Sequence, residues 1–223
     1  MATNNDGVLK KEQPFEKPVY VDYSRILHNL MRASSYTIEK YGAHFGASDY
    51  MREQHRMSHE MLRYFREEAI LDFKNPPKMR HVNPVLQIQL VENMVKSQVL
   101  VPYGRDIFVD SNWMPNDFLL RQLLLRQGIY SGETALYLWD LNDQFPYNIY
   151  MTFRRGYRLQ KNILSENVIP RQGNTKFLNS FVEHLDVPGT QKKISLYSKE
   201  RCLVETLRDS TESEIVTTAY RRY

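Results

Sequence analysis

One cysteine, Cys202, stands in 223 residues. No internal disulfide framework can form, and no all-cysteine metal site can be assembled. No apolar run approaches the roughly 18–20 residues that span a bilayer. The opening stretch, MATNNDGVLKKEQPFEKP, is polar and has no apolar signal core, which predicts a cytoplasmic protein with no membrane partner. Catalytic signatures are equally scarce. There is no glycine-rich phosphate loop, no Gly-x-Ser-x-Gly elbow and no metal-spaced Cys/His set. His55 and His59 are spaced i, i+4, but Arg56 and Glu60 flank them and no third ligand is in view, so they read as exposed histidines. Glu133, Asp140 and Asp143 resemble a carboxylate cluster, yet two of them sit at a helix exit, where Asp is expected anyway. Glu200-Arg201 reads as a structural pair near a helix start. No catalytic residue, metal or cofactor is expected.

The charge is informative mainly in its distribution. The net charge is +4 and the pI about 9.0. Residues 1–110 hold 15 Lys and Arg against 14 Asp and Glu, whereas residues 144–208 hold 11 against 5. That second half carries a basic field suited to nucleic acid or to an acidic protein surface.

The densest stretch is 128–157, GIYSGETALYLWDLNDQFPYNIYMTFRRGY. Gly128 reads as the C-cap of the preceding helix. Ile129 and Tyr130 favour a strand. Ser131 is placed to cap the next helix, and Glu133 lies in its first turn. Asn142-Asp143 and Pro146 break that helix. NIYMTF then alternates like a half-buried strand, and Arg154-Arg155-Gly156 turns the chain.

Elsewhere, residues 1–20 read as a disordered or draped tail. Residues 22–41 and 48–74 read as helices. The second of these has a stripe including Met57, Met61 and Phe65, and it offers a face for the core or for a homodimer. Pro84 opens a helix over 84–97, followed by the hairpin VLVPYGRDIFV at 99–109. Residues 113–127 form an apolar helix that starts at Asn116 or Asp117. Asn167–Pro170 forms a short strand. Phe181–Val187 pairs with Lys193–Tyr197. Ser198 caps the helix 199–208, whose inner face is Cys202, Leu203, Thr206 and Leu207. Thr211 and Glu214 make a capping box for a last helix over 212–221.

Three blocks, GIYSGETALYLW, MTFRRGY and ISLYSKERCLVETLR (194–208), resemble in order and spacing those of the AbiEi family, antitoxins of bacterial type IV toxin–antitoxin and abortive-infection (phage-defence) systems. The resemblance covers about residues 82–221. It implies an α+β protein: an N-terminal helical region with a winged helix-turn-helix over 21–110, then a mixed α/β second domain over 111–223. It implies a DNA-binding transcriptional autorepressor that opposes a nucleotidyltransferase-like toxin without a stable complex. Gln89, Asn93 and Lys96 would then face the major groove of operator DNA carrying an inverted repeat, with Tyr103 and Arg105 on its backbone. Arg154, Arg155 and Arg158 would supply further phosphate contacts. Two residues depart from the family's wing. Gln98 and Asp106 replace glycines, and an acid there would repel phosphate. The alternative is a protein-interaction module whose wing no longer reads DNA.

Overall fold

The computed structural model describes residues 47–75, 90–92, 94–104, 106–159, 161–162, 164–208 and 213–223. The expected tail and the helix over 22–41 lie outside these residues, as does most of the helix opened by Pro84. The chain is a mixed α/β structure of helices and two sheets.

Helix α1 spans Ala47–Glu67. Its stripe is buried in the chain's own core, with Met57, Met61 and Phe65 exposed by 4%, 0% and 1%. The helix was expected to run on to residue 74. It stops at Glu67, and Ile70–Asp72 forms strand β1. The Glu68 carboxylate accepts the Ile70 amide at 3.0 Å, which turns the chain out of the helix. Ala69, Ile70 and Leu71 are all fully buried. Such a continuous apolar run fits a covered strand as well as a helix face, so periodicity could not separate the two.

Residues 90–92 and 94–96 are helical. The helix ends with Gln98 at φ +60°. The Val99 amide bonds back to the Met94 carbonyl and the Gln98 amide to the Val95 carbonyl, at 2.9 and 3.0 Å. This is a Schellman ending with a glutamine at the position that favours glycine. Strands β2 (Leu100–Pro102) and β3 (Ile107–Asp110) form the expected hairpin. With β1 they make an antiparallel sheet of order β1-β3-β2.

Helix α2, Asp117–Leu125, is capped by Asn116, whose side chain accepts the Leu119 amide at 3.0 Å. Its left-handed C-cap is Arg126 at φ +63°, not Gly128 as expected. Gly128 follows at φ +110°, and a Cβ there would sit 2.6 Å from the Phe153 ring. Glycine is needed at 128 for that close approach as well as for its backbone angle.

The second sheet has five strands in the order β6-β5-β4-β8-β7. They are β4 (Ile129–Tyr130), β5 (Ile149–Arg154), β6 (Val168–Gly173), β7 (Val182–Asp186) and β8 (Lys193–Tyr197). β6 is longer than its expected segment, because it pairs in parallel with all six residues of β5. Helix α3, Gly132–Leu138, follows β4. Ser131 occupies its N-cap position but makes no cap bond; its Oγ accepts the Thr152 hydroxyl at 3.0 Å instead. Helices α4 (Lys199–Arg208) and α5 (Ser213–Arg222) close the described chain. Cys202, Leu203 and Thr206 of α4 are buried as expected. Leu207 is not: it is 58% exposed, because an arc centred on those three residues leaves position 207 at its edge.

The two sheets share a core. Ala69, Ile70, Ile107 and Val109 of the first pack in one cluster with Tyr130, Met151, Leu196 and Tyr197 of the second. Polar bonds fix the junction. The Ala69 amide donates to the Gly189 carbonyl at 3.0 Å, and the Trp113 indole donates to the Pro188 carbonyl at 2.7 Å. Glu68 accepts the Thr190 hydroxyl and the Gln191 amide. No helix among the described residues is long and apolar enough to cross a membrane.

Candidate nucleic-acid interface

Strand directions decide which residues share an end of the second sheet. β5 and β6 are parallel, so Arg154 pairs with Gly173 at their C-terminal ends. β4 runs against β5, β8 runs with β4, and β7 runs against β8. The start of β8 at Lys193 therefore lies at the same end as Arg154. The junction with the first sheet, through residues 187–191, lies there too. Chain topology gathers at one end the turn after β5, the residues after β6 and the β7–β8 turn.

The turn after β5 is firmly held. The Tyr157 amide donates to the Arg154 carbonyl at 3.1 Å. The Tyr157 ring stacks on Phe153 at 4.4 Å with an interplanar angle of 9°. Its hydroxyl donates to the Leu125 carbonyl at 3.3 Å. Gly156, at φ +82°, closes the turn with open space where a Cβ would be. Arg154, Arg155 and Arg158 are exposed, and so is Lys161. None of the four takes part in an ion pair found among the described residues. Unpaired cations on an anchored turn keep their charge available to a polyanion.

Three of the five residues expected on the winged helix, Gln89, Asn93 and Arg105, lie outside the described residues. Lys96 is exposed in the last turn of the helical stretch before β2. Tyr103 is half-buried in the β2–β3 turn, and its amide donates to the Ile107 carbonyl at 2.9 Å. Burial, and then the charge of Asp117, hold its hydroxyl above the ordinary tyrosine pKa. It stays a neutral donor and acceptor at physiological pH.

The acid in the turn is not isolated. Asp106 pairs with Lys74 at 3.3 Å and with Arg126 at 3.6 Å. Arg126 also grips the buried Asp72 at 2.5 Å. Two cations therefore offset the charge that was expected to repel phosphate. The turn itself rests on α2, since a Cβ at Gly104 would lie 2.9 Å from Leu124.

Sequence reasoning singled out Arg154, Arg155 and Arg158 but passed over Lys161, Lys176 and Lys192. All three lysines are in the basic segment, and the counts alone could have raised them. Only strand order brings Lys192, before β8, to the end that holds Arg154. Lys193 is partly spent on Asp186 at 2.9 Å.

The residues that looked catalytic have structural partners. Arg201 bonds Glu205 at 2.9 Å, the Phe177 carbonyl at 2.9 Å and the Ser180 carbonyl at 2.6 Å, and its guanidinium lies over the Tyr197 ring. Glu200 accepts the Tyr223 hydroxyl at 2.9 Å. Arg222 forks onto Asp143. Cys202 is fully buried, and burial pushes its thiol far up from the ordinary value. Among the described residues, no group of three His, Cys, Asp or Glu side chains is placed to hold a metal ion.

No protein-family model matches this chain, and no curated protein matches it.

Proposed function

We propose that this protein is the antitoxin of a bacterial type IV toxin–antitoxin system and a DNA-binding repressor of its own operon. It would oppose a nucleotidyltransferase-like toxin without holding it in a stable complex. The antitoxin assignment rests on the three sequence blocks and their order. DNA binding is supported by one structural observation: the β2–β3 turn and the arginine turn 154–158 both rest on the C-terminal part of α2, the first against Leu124 and the second through Tyr157 on the Leu125 carbonyl. A helical stretch running into a two-stranded wing, with β1 alongside, supports reading the first sheet as a winged helix. In that reading Lys96 contacts phosphate at the groove edge, and Arg154, Arg155 and Arg158 extend the contact along the backbone. The Lys74–Asp106–Arg126 pairing favours this over a wing that has lost DNA, because it removes the bare acid from the turn.

The test is binding of the full chain to the DNA upstream of its gene, against shuffled DNA, across a salt series. Specific binding with a slope of several ions is expected. Lys96→Ala should flatten the slope by about 0.9. An unchanged slope removes Lys96 from the contact. Equal binding to both DNAs, or none, leaves the alternative: a protein-interaction module built on the same sheet.

A further inference from the structure

Between Asp143 and Glu166 the chain carries no acidic residue, and it carries four cations: Arg154, Arg155, Arg158 and Lys161. All four are exposed. The residues between them hold the segment down. Tyr157 and Leu159 pack against the core. The Tyr157 ring lies flat on Phe153, and its hydroxyl reaches the Leu125 carbonyl. The backbone that carries the cations is thus ordered before any partner arrives, which lowers the entropy lost on binding. From Arg155 to Lys161 it reaches at most about 20 Å. That is the axial length of about six phosphates on one strand of a duplex.

Charge and rings together choose the ligand. Positive charge with no acid interspersed suits a polyanion better than a protein surface, where both signs are mixed. Single-stranded nucleic acid is held by exposed rings that stack on its bases as well as by charge. Residues 154–161 contain one ring, that of Tyr157, and it is already stacked on Phe153. Base edges are read by a helix or a two-stranded ribbon that enters a groove. A single segment tied to the core at Tyr157 and Leu159 does not enter one, and its cations meet phosphates at the rim.

We propose that residues 154–161 form a sequence-blind site for the backbone of double-stranded DNA, with Lys161 as its fourth contact. The inference rests on the reading of the arginine turn as a phosphate contact, but it needs neither an operator nor the winged helix. It assigns to this segment the sequence-independent share of binding, so that discrimination between DNA sequences comes from elsewhere in the chain. Counterion release sets the magnitude. Four neutralised phosphates contribute up to about 3.6 to the salt slope on a duplex.

The experiment is fluorescence anisotropy of the full chain with a labelled duplex of random sequence, with a single strand of the same length, and with the duplex from upstream of the gene, across a salt series. One variant combines Arg154→Ala, Arg155→Ala, Arg158→Ala and Lys161→Ala. A second combines Arg154→Lys, Arg155→Lys and Arg158→Lys. The wild type should bind the random duplex more tightly than the single strand. The alanine variant should bind it roughly tenfold or more weakly at low salt, and should lose the same factor on the upstream duplex. The lysine variant should keep the wild-type slope, because a phosphate contact needs the charge and not the guanidinium fork. An alanine variant that binds random duplex as the wild type does overturns the proposal. So does a loss confined to the upstream duplex, a single strand bound more tightly than the duplex, or a lysine variant that loses as much as the alanine one. No binding to any of the three DNAs also overturns it, and gives the segment to an acidic protein surface. The operator reading fails separately: equal wild-type affinity for the upstream and random duplexes removes it and leaves this site standing.

Discussion

Deleting the Arg126 side chain tests the junction between the hairpin sheet and the rest of the fold. Arg126 bonds Asp72, whose side chain is 2% exposed, while Arg126 itself is 25% exposed. Removing one partner of a buried pair costs about 3–5 kcal/mol, because the other charge is left without compensation. Here the loss is smaller. Asp72 keeps the Lys74 amide and the Asn75 side chain, both at 3.0 Å, and water can enter where the guanidinium stood. About 2–3 kcal/mol is expected for Arg126→Ala. Arg126→Gly deletes the same bonds but relieves the left-handed backbone at φ +63°. It should therefore be about 1 kcal/mol less damaging. Urea unfolding of the two variants and the wild type measures both differences. The pH dependence has a definite sign. Burial alone would raise the Asp72 carboxyl, but bonds from Arg126, Asn75 and the Lys74 amide outweigh it and hold it below the ordinary value. A carboxyl depressed on folding adds stability above its unfolded pKa and loses it as pH falls through the folded one. The wild-type advantage over Arg126→Ala should therefore shrink as pH drops below about 4. A cost under about 0.5 kcal/mol at neutral pH, or a gap that widens in acid, would refute the reasoning.

Other substitutions separate binding from stability. Gly128→Ala must hold φ +110° and drive a Cβ into the Phe153 and Met151 side chains; a loss of about 3 kcal/mol is expected in thermal or urea unfolding. Cys202 should resist a thiol reagent at neutral pH in the native protein and react fully once denatured, since it is buried and its thiol is held protonated. Changing Arg154, Arg155 and Arg158 together to Ala should lower the salt slope of DNA binding by up to about 3. It should leave the unfolding midpoint nearly unchanged, because all three are exposed.

Much of the fold was legible locally. The Pro102–Arg105 turn between two β-rich runs marked the hairpin, Asn116 marked a helix start, and Pro188-Gly189 marked the β7–β8 turn. These signals act within a few residues, through backbone preference and side-chain caps, so one sequence displays them. The arginines at 154, 155 and 158 were legible for the same reason, as charge at a glycine turn. Strand β1 was not, because Ala69-Ile70-Leu71 continues an apolar pattern that helix and covered strand both satisfy. Only pairing with β3, a strand distant in the chain, chose between them. The ends of helices also depended on context: Arg126 and Gln98 hold left-handed caps that local preference would give to glycine. Arg126 is held there by two acids distant in the chain.

The sequence by itself determined where the chain turns, which segments are amphipathic, and that its positive charge is concentrated after residue 144. Tertiary structure alone decided which charges act together. Asp72 and Arg126 are far apart in sequence yet pair, and a one-dimensional pattern carries no information about which ends of parallel and antiparallel strands coincide. The same holds for exposure. Leu207 looked like core in the helical pattern, but an element's buried arc is set by what packs on it, and the described residues leave Leu207 58% exposed.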